Sequence, residues 1–247
     1  DVDDMEGCAV ALVLEGLRPM TIEIQALVTP VGGDGGTYGR RTVDGIAYSR
    51  LVLLIGVLQK RCGLHFRRQD VYINVVGNIR LDRQEGSSHS DLTVAMALVS
   101  SLLSIPVRAD TAFVGEIGLL GELRPVPALD RRIQEARRMG FSRVVTPRDH
   151  LGTTSYKTKK KNKNHHGNGK PGFSRINGMD WIQCDTLLDA LNEGLVRRLP
   201  KGRGKFRPKK SDSSSMAPSN LEELMLNEVI VDDGNDDDDD DDVVNEE

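Results

Sequence analysis

Lysine is missing from a long central part of this sequence. None occurs between Lys60 and Lys157, an interval that holds thirteen arginines. A site that needs a lysine as general base has no candidate there, because a guanidinium stays protonated in proteins. The chain also lacks a G-x-x-x-x-G-K-[S/T] phosphate loop, since "GNGKPG" and "GRGKFR" have a Gly-Lys pair without its spacing or its Ser/Thr. We therefore expect no nucleotide hydrolysis through that motif.

Cysteines, aromatic residues and long apolar runs are scarce too. The three cysteines are far apart and form no C-x-x-C or Cys/His spacing, so we predict neither a disulfide framework nor a metal site. No apolar run approaches the roughly 18 to 20 residues that cross a bilayer, and the N-terminus lacks a signal-peptide pattern. We expect a soluble, intracellular protein in a reducing compartment without a membrane partner. Because the chain begins at Asp1, we expect it to be the downstream part of a longer protein.

Charge is distributed very unevenly along the chain. From Ser211 onward there are fifteen acidic residues and no basic ones, so residues 1–210 carry a net charge of +11. A basic body with an acidic tail is typical of nucleic-acid contact with self-screening. A solubilising tail beside ordinary surface charge is the alternative, and composition alone leaves both open.

Hydrophobic patterns predict one α/β domain over residues 1–198, built of mixed short strands and helices. Periodicity disappears between residues 153 and 175, a stretch with six lysines that we interpret as a flexible insertion. Its two histidines, His165 and His166, lie in so polar a loop that no metal site is predicted. Residues 199–247 are basic, then acidic, and poor in apolar side chains, so we predict a disordered tail.

Several stretches of the sequence resemble a known protein family. "ALVSSLLSIPVRADTAFVGEIGLLGELRPV", followed by "RRIQEARRMGFSRVVTP", resembles the C-terminal proteolytic domain of Lon. The resemblance is more specific to the Lon-like C-terminal domain of the RadA (Sms) family of DNA repair proteins, because it extends to "LEGLRPMTIEIQALVTP", "RRTVDGIAYSRLVLLIGVLQKR" and "QDVYINVVGN". It covers about residues 7–150 and 177–195. It implies a Lon-protease-like fold, of the ribosomal protein S5 domain 2-like type.

The resemblance also identifies the positions of a Ser-Lys peptidase dyad. Ungapped alignment puts the serine position at His89 and the lysine position at Arg132, so both are substituted. A small shift could nominate Ser88 or Ser90, but Arg132 cannot serve as the base. His89 adjoins both serines, and neighbouring side chains diverge at a helix start, so we predict that it does not replace the lysine. We therefore predict no catalytic residue; a working Lon-like, ATP-dependent serine peptidase is the alternative.

The arginines need another role if the dyad is lost. A guanidinium binds phosphate in a bidentate manner and keeps its charge when partly desolvated, which suits a DNA-backbone surface. Any single arginine could instead be solvated or ion-paired, as Glu135 one turn from Arg131 indicates. The candidate phosphate contacts are Arg40, Arg41, Arg80, Arg83, Arg131, Arg132, Arg137 and Arg138.

The family resemblance implies the wider function. In RadA proteins this domain forms a hexameric ring beneath a RecA-like ATPase, so we expect an inactive peptidase fold that binds DNA and assembles the ring in a DNA-dependent ATPase or helicase. ATP, magnesium and zinc are expected only in upstream domains. The expected partners are single-stranded or branched DNA, further copies of the chain and a recombinase. The lysine-rich insertion and acidic tail are not family features, and they favour a eukaryotic relative in a chloroplast or mitochondrion.

Overall fold

Short strands alternate with helices along the described part of the chain. The computed structural model describes residues 6–32, 39–77, 79–83, 86–149, 154 and 171–196, without the side chains of Arg83 and Ser87. The predicted tail and most of the predicted insertion therefore lie outside the described residues. The elements in chain order are β1 (Cys8–Glu15), β2 (Arg18–Pro30), β3 (Arg41–Asp44), α1 (Tyr48–Cys62), β4 (Gln69–Val75), α2 (Asp91–Leu103), β5 (Thr111–Phe113), β6 (Glu116–Ile117), β7 (Leu123–Arg124), α3 (Leu129–Arg138), β8 (Arg143–Pro147), β9 (Gly172–Ile176), β10 (Met179–Cys184) and α4 (Leu187–Gly194).

Eight of these strands form one mixed sheet, in the order β3-β4-β2-β1-β5-β8-β10-β9. Strand β2 pairs antiparallel with both β1 and β4, whereas β5 lies parallel to β1 and to β8. A hairpin joins β1 and β2 around Gly16, since Glu15 pairs with Arg18 and Gly16 has a φ of 58°. The mixed α/β class predicted from the sequence is thus confirmed.

Two apolar cores lie on opposite faces of this sheet. Helices α1, α2 and α4 contribute buried residues to one core, and α3 contributes to the other. In β1, Ala11 and Val13 belong to the first core and Leu12 to the second. Because successive side chains of a strand point to opposite faces, α3 covers the face of the sheet opposite the other three helices.

Helix α2 is the central element of the larger core. Its residues Leu92 to Val99 are all at most 2% exposed, as expected for a helix that is apolar around most of its circumference. Ser90 precedes the helix as its N-cap residue, but it makes no side-chain capping bond. Serine is a preferred N-cap residue, but the Ser90 hydroxyl does not fill that role here. The Ser88 hydroxyl has a different partner, described below.

The end of the predicted insertion belongs to the sheet. Residues 172–176 form β9, which pairs antiparallel with β10 at the sheet edge. The turn between them is Asn177-Gly178, with φ values of 48° and 89°. Asn-Gly with both φ values positive is the preferred type I′ hairpin turn, and it fixes the register of β9 on β10. The insertion boundary predicted at residue 175 is corrected accordingly.

Candidate functional site

The two predicted dyad positions meet in the folded structure. His89 lies in a short 3-10 segment, Ser87–Ser90, directly before α2, while Arg132 lies on α3. The Arg132 Nη2 atom is 3.2 Å from His89 Nδ1. Gly86 makes room for the imidazole, since a Cβ at Gly86, which has a φ of 75°, would lie 2.1 Å from His89 Cε1. The sequence alignment therefore paired two residues that are 43 positions apart and in contact.

The Arg132 guanidinium contacts three hydrogen-bond acceptors. Its side chain is buried, with the residue 2% exposed, and its Nη1 donates to the carbonyl of Leu12. Its Nε donates to the carbonyl of Pro127 at 3.1 Å. Burial lowers the pKa of Arg132 to about 10, which still leaves the guanidinium charged near neutral pH. Arg132 can neither accept a proton from a serine nor reach a phosphate, so its place among the predicted DNA contacts is corrected.

The His89 ring also has its hydrogen-bond acceptor in use. A guanidinium has only donors, so His89 Nδ1 must accept from Arg132 and the ring proton must reside on Nε2. The pKa of His89 is lowered, first by burial and second by the positive charge of Arg132. The imidazole is therefore neutral near pH 7, and its one lone pair is already engaged. It cannot act as a general base for a neighbouring serine.

The serine side of the site is also occupied. The Ser88 hydroxyl donates to Glu116 Oε2 at 2.8 Å, and the other oxygen of Glu116 lies 3.4 Å from Arg124 Nη1. The Glu116 carboxylate is thus shared between the Ser88 hydroxyl and the Arg124 guanidinium. Ser90 is buried, at 3% exposed. The arrangement around Ser88 is a structural hydrogen-bond network rather than a nucleophile with its base.

A buried ion pair fixes the start of α2 beside this site. Asp91, which is 1% exposed, accepts from Arg50 Nε at 2.7 Å and from the Ile117 amide at 3.0 Å. Arg50 also donates to the Ile117 carbonyl at 3.1 Å, so α1, α2 and β6 are joined at one point. Burial raises the pKa of Asp91 to about 6, against the opposing effect of Arg50. Asp91 thus has a structural role at the start of α2.

The eight candidate arginines fall into distinct groups. Arg80 and Arg138 are exposed but ion-paired, with Asp82 at 2.8 Å and Glu135 at 2.6 Å respectively. Arg41 is half-buried and donates to main-chain carbonyls. The remaining exposed candidates are Arg40, Arg131 and Arg137, whose side chains make no hydrogen bond or ion pair within the described ranges. The side chain of Arg83 lies outside them.

Four further exposed arginines without a hydrogen bond or ion pair among the described residues were not predicted: Arg18, Arg67, Arg68 and Arg108. Arg67 and Arg68 follow helix α1 and precede β4, and both are exposed. In the part of the chain that the structure describes, neither side chain has an ion-pair or hydrogen-bond partner. The available signal was the doublet "FRRQD" in a loop between a predicted helix and a predicted strand. On a helix, an arginine is often paired with an acidic side chain three or four residues away. A loop arginine has no such regularly spaced neighbour.

The described residues contain no group of three or more His, Cys, Asp or Glu side chains that could hold a metal ion. His165 and His166 lie outside that part of the chain. Among the described helices, none combines the length and apolar character that a membrane span requires. The three cysteines are unpaired, and burial raises the pKa of Cys62 to about 12.

Comparison with known proteins gives two kinds of match. Residues 55–150 match a family model described as subunit ChlI of Mg-chelatase. DNA repair protein RadA of Streptococcus pyogenes is 42% identical over 151 residues, which is 61% of this chain and 32% of that protein. The proteins of the same name from Listeria monocytogenes and Streptococcus pneumoniae are 37% and 38% identical, again over 61% of this chain, with 32% and 34% of their own lengths covered. The chain therefore spans about a third of the length of the curated relatives that it matches.

Proposed function

We propose that this domain is a RadA-type, Lon-like scaffold without peptidase activity, which binds the DNA backbone and assembles into a ring. It would serve an upstream RecA-like ATPase that processes recombination intermediates. The names of the relatives support the DNA-repair context. The Lon-like fold, hexameric ring, recombinase partner and organellar location are parts of this proposal.

The observation that carries the proposal is the contact between His89 and Arg132. Two positions selected only by their alignment with a Ser-Lys dyad are brought together from opposite sides of the sheet, as the residues of such a dyad would have to be. At both positions the chemistry needed for acyl transfer is missing, because the guanidinium stays charged and the imidazole lone pair is engaged. The proposal is therefore that the geometry of a peptidase site is kept while its proton transfer is lost.

The alternative of an active serine peptidase is directly testable. Peptide hydrolysis would be measured on the chain and on its Ser88→Ala and Ser90→Ala variants, together with labelling by a serine-directed acylating reagent. We expect no serine-dependent turnover and no adduct on Ser88 or Ser90. Turnover that disappears in either variant would refute the proposal of an inactive fold.

A second candidate follows from the match over residues 55–150, whose description names a magnesium chelatase subunit. It favours a region of a nucleotide-dependent assembly rather than a DNA-binding scaffold. Against nucleotide hydrolysis by this chain alone stands the lack of a phosphate-loop sequence anywhere in its 247 residues. ATP turnover by the isolated chain would favour this second candidate, and we expect none.

The central experiment measures DNA binding by the full 247-residue chain. Fluorescence anisotropy with single-stranded and branched DNA would give Kd at several salt concentrations. We expect binding that weakens steeply with salt, because contacts to backbone phosphates release counterions. An absence of salt-sensitive binding would contradict the proposed function. Sedimentation of the same chain with and without DNA would test ring assembly.

A further inference from the structure

Three stretches of chain converge at one end of the β4-β3 edge of the sheet. The Val31 amide donates to the Arg68 carbonyl at 2.9 Å, and the Gly39 amide donates to the Arg67 carbonyl at 3.4 Å. The Val71 amide in turn donates to the Arg40 carbonyl at 2.8 Å. The backbones of Arg40, Arg67 and Arg68 are therefore fixed next to one another. We call these three residues the arginine cluster.

Gly39 permits this close approach. A Cβ at Gly39 would lie 1.8 Å from the Gln69 carbonyl oxygen, so a larger residue would force the two backbones apart. Glycine is the residue that lets one backbone approach another so closely. The geometry at this end of the sheet thus depends on the residue that precedes Arg40.

Arg41 locks the loop that carries Arg67 and Arg68. Its Nη2 donates to the Phe66 carbonyl at 2.7 Å, and its Nη1 donates to the carbonyls of Gln69 and Arg40. Burial lowers the pKa of Arg41, as expected for a guanidinium enclosed by main chain. Phe66 is 1% exposed and anchors the same loop in the core. The loop backbone is held at both sides of Arg67 and Arg68, so the entropy lost when a ligand binds there comes mainly from the two side chains.

The exposed guanidinium groups of the cluster contrast with most arginines of the described structure. Arg80, Arg124, Arg138, Arg143 and Arg148 each pair with a carboxylate. The side chains of the cluster have no such partner among the described residues. Asp70 lies next to the cluster, but its carboxylate accepts the backbone amide of Arg40 at 2.6 Å. Three guanidinium groups thus face solvent near one carboxylate, on a backbone that hydrogen bonds hold in place.

From this arrangement we propose that the arginine cluster is the surface that binds the DNA sugar-phosphate backbone, in preference to the exposed arginines of α3. The proposal rests on the DNA-binding function stated above and names the site that performs it. Guanidinium groups match phosphate with two parallel hydrogen bonds, and backbone contacts of this kind position DNA without reading its sequence. Arg41 is a positioning residue of this surface, because its donors are used within the protein.

The test compares two double variants of the full chain that remove the same charge. One is Arg67→Gln with Arg68→Gln; the matched control is Arg131→Gln with Arg137→Gln, which removes two exposed, unpartnered arginines of α3. DNA affinity would be measured from about 50 to 300 mM salt, where each lost phosphate contact lowers the slope of log K against log salt by about 0.9. For the cluster variant we expect a slope reduced by about 2 and a Kd raised about tenfold or more near 0.1 M salt. The control should differ from wild type by less than about twofold.

A third variant, Arg67→Lys with Arg68→Lys, guards against an effect of misfolding. It keeps both charges, so most of the salt slope should remain. A slope as low as in the glutamine variant would contradict direct phosphate contact. Equal losses in the cluster and α3 variants, or a loss confined to α3, would overturn the inference while the DNA-binding function stands. No binding by the wild-type chain would overturn both.

Discussion

Arg132 and the arginine cluster show two opposite uses of the same side chain in one protein. Arg132 is enclosed, and its donors go to Leu12, Pro127 and His89. Arg67 and Arg68 are exposed on a loop whose backbone is held by Arg41. The contacts of Arg132 stabilise the fold and leave none of its donors available to a ligand. The contacts of Arg41 hold the loop backbone, and the charges of Arg67 and Arg68 stay accessible to a ligand.

The difference shows why counting arginines does not locate a binding surface. All thirteen arginines between Lys60 and Lys157 have the same charge, but their surroundings decide whether that charge is available. A buried guanidinium surrounded by carbonyls is already satisfied, and an ion-paired one must give up a carboxylate before it binds phosphate. The contrast predicts that substitutions in the interior will change stability and substitutions in the cluster will change binding.

The largest loss of stability is expected for Arg50→Met. This change leaves Asp91 as a buried carboxylate without its cation, which typically costs about 4 kcal/mol of folding free energy. Urea unfolding would measure the loss. The matched control is Arg80→Met, which removes an exposed partner of Asp82 and should cost far less. The double variant Arg50→Met with Asp91→Leu should recover much of the loss, and a double variant as unstable as the single one would contradict this account.

The Arg50→Met defect should also depend on pH. Burial raises the folded pKa of Asp91 to about 6 even with Arg50 present. The unfolded carboxyl titrates near about 3.9. A group with a raised folded pKa supports stability at low pH, and that support is lost as the pH rises through the folded pKa. Removing Arg50 takes away the charge that lowers this pKa, so the defect should be larger at about pH 7.5 than at about pH 5. A defect independent of pH would show that packing, not charge, is lost.

Arg132→Met should be the next most costly change. It removes the donors to two main-chain carbonyls and to His89, and unsatisfied buried acceptors of this kind together cost about 3 kcal/mol. Arg67→Met provides the comparison within the cluster and should change stability by no more than about 0.5 kcal/mol. Both values would come from urea unfolding. Similar losses in the two variants would break the distinction between the enclosed and the exposed arginines.

The sequence predicted much of the fold because its local signals agree with tertiary packing. Gly16 in the turn after β1, Gly63 at the end of α1 and the apolar run that follows Asp91 are local signals that match the structure. Strand β9 was missed because its composition is polar, although Asn177-Gly178 is a strong hairpin signal. The prediction gave more weight to polar composition than to the turn residues. At this edge of the sheet, the Asn-Gly turn determines that β9 forms and pairs with β10.

The site was predictable only in part. Alignment singled out His89 and Arg132, which lie in contact although they are 43 residues apart, whereas their identity as former dyad positions stays a prediction. Helical periodicity separates Arg132, which is buried, from the exposed Arg131 beside it, because position 132 lies on the face of α3 that carries Leu129 and Ala136. Arg67 and Arg68 were left out of the predicted set although they form a doublet, and the backbone bonds that hold their loop come from the distant residues Val31 and Gly39.

Deleting residues 211–247 should strengthen DNA binding by the arginine cluster. The tail has fifteen acidic residues, which compete with DNA phosphates for exposed cations. We expect DNA binding at low salt to tighten several-fold, up to about tenfold, and the gain to vanish at high salt where charges are screened. Repeating the deletion in the Arg67→Gln, Arg68→Gln background should give a smaller gain. An unchanged affinity in the wild-type background would show that the tail does not act on this surface.

The smallest effect is expected for Glu135→Gln. Glu135 pairs with Arg138 through both carboxylate oxygens, so the substitution releases a third exposed arginine on α3 beside Arg131 and Arg137. Helix α3 would then present as many unpaired guanidinium groups as the arginine cluster, without the backbone lock that Arg41 provides. If the lock and position matter and not the number of charges alone, DNA affinity should stay within about twofold of wild type, with an unchanged salt slope. A slope steeper by about 0.9 would mean that a newly released arginine on α3 contacts a phosphate, and the two regions would then differ only in how many of their arginines are paired.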